Sequence, residues 1–198
     1  MGDYLAINWR SRGYLPHFDA PGMQQHIVIG LADAAPHLQL APALDAKARV
    51  LALDALLDAG HGERLLADPR CASIVQDELL HHDSERYRLL AWCIMPNHVH
   101  VVIEQNTDLA GIVRRWKSWT ARAINRALDR QGQVWRRDYF DRFARNEQHL
   151  STMIWYVEQN PVAAGLAFEA AAWPWSSAGC RGETVAGQAP GGPTGKDW

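Results

Sequence analysis

Along this chain, short runs of alternating apolar and polar residues are interleaved with longer runs of helical spacing. Gln25–Leu31 alternates around Ile27 and Ile29 and predicts a strand. Tyr87–Ile94 predicts a second, and the β-branched stretch Val99–Ile103 a third. Only Met95-Pro96-Asn97 separates the last two from each other before His98, a connection short enough for an antiparallel hairpin. Helical spacing runs through Leu44, Ala48, Leu51, Leu53 and Leu56 over residues 42–59, with Gly60 beyond the end. Ala72–His82 predicts another helix with Ile74, Val75, Leu79 and Leu80 inward, and Asp108–Arg130 a long one ended by Gly132. Glu147–Asn160 predicts a last helix that stops at Pro161, since proline disfavours helix in the residue before it. Strands followed by helices around a central hairpin indicate an α+β layer architecture. No repeat is visible, and residues 179–198, rich in Gly, Ala, Pro and Thr, are expected to be a disordered tail.

Composition narrows the picture modestly. A chain of 198 residues with 47% hydrophobic content can bury one adequate core. No run reaches the eighteen apolar residues of a membrane span, and the amino terminus lacks a secretory pattern. Cys71, Cys93 and Cys180 are far apart and odd in number, which suggests a reducing cytoplasm and no zinc knuckle.

Charge changes the picture more. The net charge of −2 hides a basic segment: Arg114, Arg115, Lys117, Arg122, Arg126, Arg130, Arg136, Arg137, Arg142 and Arg145 supply half of the chain's 20 Lys and Arg. Only Asp129, Asp138 and Asp141 oppose them there. Arginine pairs with phosphate in a bidentate fork and stacks on bases. Trp116, Trp119 and Trp135 are interleaved, and stacking on an aromatic side chain is worth ~1–3 kcal/mol per base. The segment reads as a nucleic-acid surface, with a merely solvated helix face as the plainer alternative.

Candidate chemistry sits on two elements. His98 and His100 are two apart in a strand, so both imidazoles project from one face and could share a divalent cation. They could equally be two half-exposed histidines on a sheet. Tyr156 and Asn160 are four apart and share a helix face, where a phenol and a carboxamide could serve as nucleophile and third ligand. A packed tyrosine and a capping asparagine would satisfy the same spacing.

Taken together, Met95-Pro96-Asn97-His98-Val99-His100 followed by Tyr156-x-x-x-Asn160-Pro161-Val162-x-x-Gly165 resembles the single-tyrosine HUH transposases. The likeness is narrower to their REP-associated branch, found beside repetitive extragenic palindromes in bacterial genomes. Trp9-Arg10-Ser11-Arg12-Gly13-Tyr14-Leu15-Pro16-His17 is similar to that branch's amino-terminal signature. Val134-Trp135-Arg136-Arg137-Asp138-Tyr139-Phe140-Asp141-Arg142 is similar to its segment before the tyrosine helix, and Trp173-Pro174-Trp175-Ser176-Ser177 to its end. Arg142 departs from the pattern, because relatives often carry histidine after that aspartate. Asn160 is a shorter arm than the glutamine of more distant members.

The resemblance implies a ferredoxin-like or RRM-like antiparallel sheet with helices on one face, in a single domain over residues 1–178. A DNA-recognition arm would occupy residues 1–22. It implies cleavage and rejoining of single-stranded DNA at palindromic hairpins. Tyr156 would attack phosphorus to give a 5′-phosphotyrosine and a free 3′-OH. His98, His100 and Asn160 would hold Mg²⁺ or Mn²⁺; zinc is a poorer fit, because no cysteine accompanies the pair. Tyr139 is the rival nucleophile, but has no ligand four residues on. Arg10, Arg12, Tyr14 and His17 would read the hairpin, while Arg114, Arg115, Lys117, Arg122, Arg136, Arg137 and Arg142 would contact its backbone. No phosphate-binding glycine loop signals a nucleotide cofactor. A monomer or a homodimer would suit this chemistry. A domesticated hairpin-binding protein without catalysis, or a relaxase-like or replication-initiator-like nickase, are the competing functions.

Overall fold

A computed structural model describes residues 9–11, 16–18, 20–34, 52, 55–57 and 59–181. Among the described residues there are six strands: β1 (Trp9–Ser11), β2 (Pro16–Phe18), β3 (Gln24–Gly30), β4 (Tyr87–Ile94), β5 (His98–Gln105) and β6 (Phe140–Phe143). The helices are α1 (Pro69–His81), α2 (Leu109–Ala127), α3 (Glu147–Ala163) and the short α4 (Ala178–Arg181). Of the helix expected over residues 42–59, residues 52 and 55–57 are helical, Ala59 lies in a turn, and the rest lies outside the described residues.

The main sheet has the order β4-β5-β3-β6, with every neighbouring pair antiparallel. Read from β3, the elements run strand, helix, strand, strand, helix, strand, the ferredoxin-like arrangement. The β4–β5 hairpin forms through the predicted connection, and Met95 N–H donates to His98 O across it at 2.9 Å. β1 and β2 form a separate two-stranded ribbon in which Arg10 pairs with His17.

Alternation divides the sheet into two apolar faces. One carries Ile27, Ile29, Val99, Val101 and Ile103, packed with Val75 and Leu79 of α1 and Ile112, Val113, Trp116 and Ile124 of α2. The other carries Ala91, Cys93 and Val102, packed with Met153 and Val157 of α3. Helices therefore cover both faces, not one. α1 and α2 form the expected layer, and α3 follows β6 onto the opposite face.

Local chemistry explains the element boundaries. α1 starts earlier than its apolar periodicity indicates, because Asp68 caps it and Pro69 occupies its first position. The Asp108 carboxylate accepts from Gly111 N–H at 2.6 Å to open α2, and Asn146 Oδ1 accepts from His149 N–H at 2.8 Å to open α3. Against expectation, α3 does not stop at Pro161 but runs through it to Ala163. A proline in the last turn forfeits a single helical hydrogen bond. The end is then secured by Leu166 N–H donating to Pro161 O and Gly165 N–H to Val162 O. Gly165, with φ at +68°, is the left-handed residue this Schellman closure requires.

Residues 175–177 seal the outer edge of β4. Ile94 N–H donates to Trp175 O at 2.8 Å and Ser177 N–H to Trp92 O at 3.0 Å, so residues 175–177 pair along β4. Ser177 Oγ also donates to Glu158 Oε1 of α3 at 2.8 Å. The Trp173-Ser177 motif is thus a strap joining the sheet edge to α3.

Candidate active site

The face of the sheet under α3 is polar at its centre. Strand register sets His26, Val28 and Gly30 of β3 beside Val102, His100 and His98 of β5, so three histidines share that face. All are buried: His26 is 4% exposed, His98 1% and His100 0%. His98 Nε2 and His100 Nε2 lie 2.8 Å apart, and His100 Nδ1 lies 3.0 Å from His26 Nε2. His98 Nδ1 is 2.8 Å from Asn97 Oδ1. The Asn97 amide is itself oriented, since Nδ2 donates to Leu57 O at 2.9 Å and to His61 O at 3.2 Å.

Tyr156 reaches this cluster from α3. Its ring stands edge-on to His100, with centroids 5.9 Å apart, and to His26 at 6.0 Å. One turn on, Asn160 is 2% exposed, and its Oδ1 has no hydrogen-bond partner among the described residues. Burial of an unpaired amide oxygen costs about 1–3 kcal/mol, so it calls for a partner. His149, one element of the same helix face, is also buried. Of the sequence-predicted set, His98, His100 and Tyr156 thus meet between β5 and α3, and Asn160 is buried one turn further along the Tyr156 face of the helix. Tyr139 does not join them: its ring packs against the other core, with α1 and α2.

Electrostatics keep the histidines neutral. Burial pushes His98 down to about 3, and the neighbouring His26, beside which a second positive charge would be repelled, adds to the effect. His26 is likewise lowered to about 3 by burial, then by Arg142 and His149. His100 lies well below its ordinary value for the same reasons, burial first. Neutral imidazoles have lone pairs available for a cation, and cations prefer a mixed imidazole and carbonyl-type oxygen set when they are borderline or hard. By donor chemistry alone, His98 Nε2, His100 Nε2 and Asn160 Oδ1 suit a divalent metal such as Mn²⁺ or Mg²⁺, while among the described residues no group of three or more His, Cys, Asp or Glu is arranged to hold one.

His26 was not evident in the sequence. The alternation around Ile27 and Ile29 placed it on the opposite face from the core, but only the register with β5 puts it beside His100.

The basic segment is divided by the fold. Arg142 sits on β6 directly across from His26, on the histidine face. Arg136 is half-buried; its Nη1 has no partner among the described residues, and burial lowers its pKa. An added Cβ at Gly30 would meet Arg136 Cδ at 3.3 Å, so glycine admits the arginine stem next to the strand position opposite His98. Arg114 and Arg122 are exposed on α2, in the layer beyond the sheet from Tyr156, and Arg137 is exposed on the loop after it. Arg115 instead pairs with the buried Glu78 at 3.1 Å, and Lys117 Nζ donates to Arg137 O at 2.9 Å.

Two of the tryptophans expected to stack on bases are core residues. Trp116 is 3% exposed and donates from Nε1 to Tyr87 Oη at 3.0 Å; Trp135 donates to Thr120 Oγ1 at 2.8 Å. Their apolar area is more strongly stabilised against α1 and the sheet than on a solvent face. The side chains of Arg10 and His17, and the whole of Arg12 and Tyr14, lie outside the described residues. Among the described residues, no helix is long and apolar enough to cross a membrane.

Comparison with known proteins bears on family and fold. Residues 69–160 match the family of IS200-like transposases, a span from the start of α1 to Asn160. A Haemophilus influenzae protein named among the REP-associated tyrosine transposases is 26% identical over 103 residues. That match covers 46% of this chain and 58% of the relative, so it spans little more than half of the relative's length. The fold is similar to that of a solved REP-associated tyrosine transposase bound to a REP hairpin, with a TM-score of 0.60 and 14% identity. This likeness covers 93% of this chain and 96% of that one. In the stretch from α1 to Asn160 the chain is similar to the IS200-like transposases, and in sequence and fold it resembles REP-associated tyrosine transposases.

Proposed function

We propose that this protein is a metal-dependent transposase that binds single-stranded DNA hairpins of the REP type and cleaves and rejoins the strand through Tyr156. The observation that carries the reading is the meeting of Tyr156 with the neutral pair His98 and His100 under α3, at 5.9 Å between the Tyr156 and His100 rings. His98, His100 and Asn160 would hold the metal, which when bound polarises a phosphoryl oxygen and offsets charge developing on the leaving group.

The remaining work belongs to the chain. Tyr156 Oη forms a bond to phosphorus as the bond from phosphorus to the 3′-oxygen breaks. The phenol loses its proton and the leaving 3′-oxygen gains one, so a 5′-phosphotyrosine and a 3′-OH result. Because phosphodiester energy is retained in the covalent bond, a second 3′-OH reverses the step and joins a new strand. Arg142, on the same face, and the incompletely paired guanidinium of Arg136 would meet the anionic backbone. Arg10, Arg12, Tyr14 and His17 would contact the hairpin. The reaction would take place in the cytoplasm and needs no nucleotide.

The test is a labelled single-stranded palindrome taken from beside the gene, incubated with protein and Mn²⁺ or Mg²⁺. A denaturant-resistant protein–DNA adduct is expected, lost in Tyr156→Phe, in His98→Ala and with a chelator, but kept in Tyr139→Phe. A retarded, non-covalent complex unaffected by Tyr156→Phe would sink the catalytic reading and leave a hairpin-binding protein.

A further inference from the structure

Three buried imidazoles and one amide form an unbroken hydrogen-bonded row: Asn97 Oδ1, His98, His100, His26. Each of the three contacts in the row needs one N–H, and three rings supply one apiece. The proton positions then follow from the anchored end. Asn97 Nδ2 is committed to Leu57 O and His61 O, so Oδ1 faces His98 and accepts from Nδ1–H. His98 Nε2 is left as a lone pair and accepts from His100 Nε2–H. His100 Nδ1 in turn accepts from His26 Nε2–H. Asn97 thereby presents His98 in the tautomer a metal requires, with Nε2 unprotonated.

His100 is in the opposite state. Its Nε2 carries the proton, and a cation shared with His98 Nε2 needs that nitrogen bare. Resting on the metal reading above, we propose that His26 is a positioning residue that switches the tautomer of His100. When Nε2 is vacated, the His100 proton resides on Nδ1 and is donated to His26 Nε2. His26 then carries its own proton on Nδ1. Each ring keeps one proton, both stay neutral, and no net proton is released. The 3.0 Å separation serves either direction of donation, and the near-parallel stacking of the rings, 20° between planes, keeps His26 in register with His100. Ligating histidines characteristically have the second ring nitrogen held by such a partner, and its loss typically costs 10–100-fold in metal affinity. Phenylalanine at 26 would fill the space without accepting a hydrogen bond, whereas glutamine offers an accepting oxygen.

The experiment measures Mn²⁺ binding by the full chain in the absence of DNA, following the electron-paramagnetic signal of free Mn²⁺. His26→Phe, His26→Gln and His98→Ala are compared with the native protein, with folding checked by circular dichroism. A 10–100-fold weaker affinity in His26→Phe, largely restored in His26→Gln, is expected. Native affinity in His26→Phe, with binding lost in His98→Ala, would overturn the role of His26 while leaving the metal site standing. No Mn²⁺ binding by the native chain would overturn both. Should His26→Phe fail to fold, long-range ¹H–¹⁵N spectra of the native protein decide. His100 is expected as Nε2–H without metal and as Nδ1–H with saturating Mg²⁺. Persistence of Nε2–H at saturation refutes the switch.

Discussion

Arg142 and His26 are direct cross-strand partners on β6 and β3, and the arginine's charge helps hold the imidazole neutral. A cation thus stands beside the histidine cluster, within the layer that contains Tyr156. Arg142→Ala should weaken binding of a single-stranded hairpin and lower the salt slope of log K by about 1, with little change in fold. Titration of labelled DNA at several salt concentrations measures both. An unchanged slope would place Arg142 outside the DNA contact.

Asn160 allows stability and binding to be separated. Its buried Oδ1 has no partner among the described residues, so Asn160→Ala should alter the unfolding free energy of the metal-free protein by less than about 1 kcal/mol. The same substitution should reduce Mn²⁺ affinity at least tenfold. Denaturant unfolding with chelator, alongside Mn²⁺ titration, checks the pair of outcomes. Loss of several kcal/mol of stability with unaltered metal affinity would make Asn160 a structural residue.

Arg114 and Arg115 are neighbours with different duties. The carboxylate of Glu78 is 2% exposed and depends on Arg115, whereas Arg114 is exposed on α2. Arg115→Ala should cost about 1–3 kcal/mol by leaving that carboxylate without its partner, a figure kept low because the arginine is partly solvated. Arg114→Ala should stay within about 0.5 kcal/mol. Urea midpoints at fixed slope measure the difference, and equal midpoints would contradict the assigned pairing.

Acid should destabilise the metal-free protein through the histidine row. Folded-state values for His26 and His98 are about 3, and that for His100 is also depressed, against an ordinary 6.5 in the unfolded chain. Below 6.5 the unfolded chain takes up protons that the folded one refuses, so stability falls as pH falls toward 3 and is fully present above 6.5. Each histidine contributes a slope of up to about 1.4 kcal/mol per pH unit within that window. Urea unfolding at pH 5.5 and 7.5, with chelator, separates this from most carboxylate titration. Equal or greater stability at pH 5.5 would show that the row is charged or solvated.

Several features were legible because they depend on neighbours in the chain. Two-residue spacing placed His98 and His100 on one strand face, and four-residue spacing placed Tyr156 and Asn160 on one helix face. The hairpin between Tyr87 and Ile103 was legible from a connection too short for anything else. Pro161 misled as a stop because proline's effect depends on how many helical bonds remain beyond it, which the Gly165 closure decided.

By itself, then, the amino-acid sequence determined which side chains travel together on each strand and helix, because those periods follow from backbone geometry alone. The tertiary structure decided which faces meet. Only pairing of β3 with β5 brings His26 to His100, and only the packing of α3 on the second sheet face brings Tyr156 over them. It also decided that Trp116 and Trp135 are core and that Arg115 is a partner for Glu78. Those outcomes are set by register and by burial of apolar area between segments far apart in the chain, and no local pattern of residues encodes either.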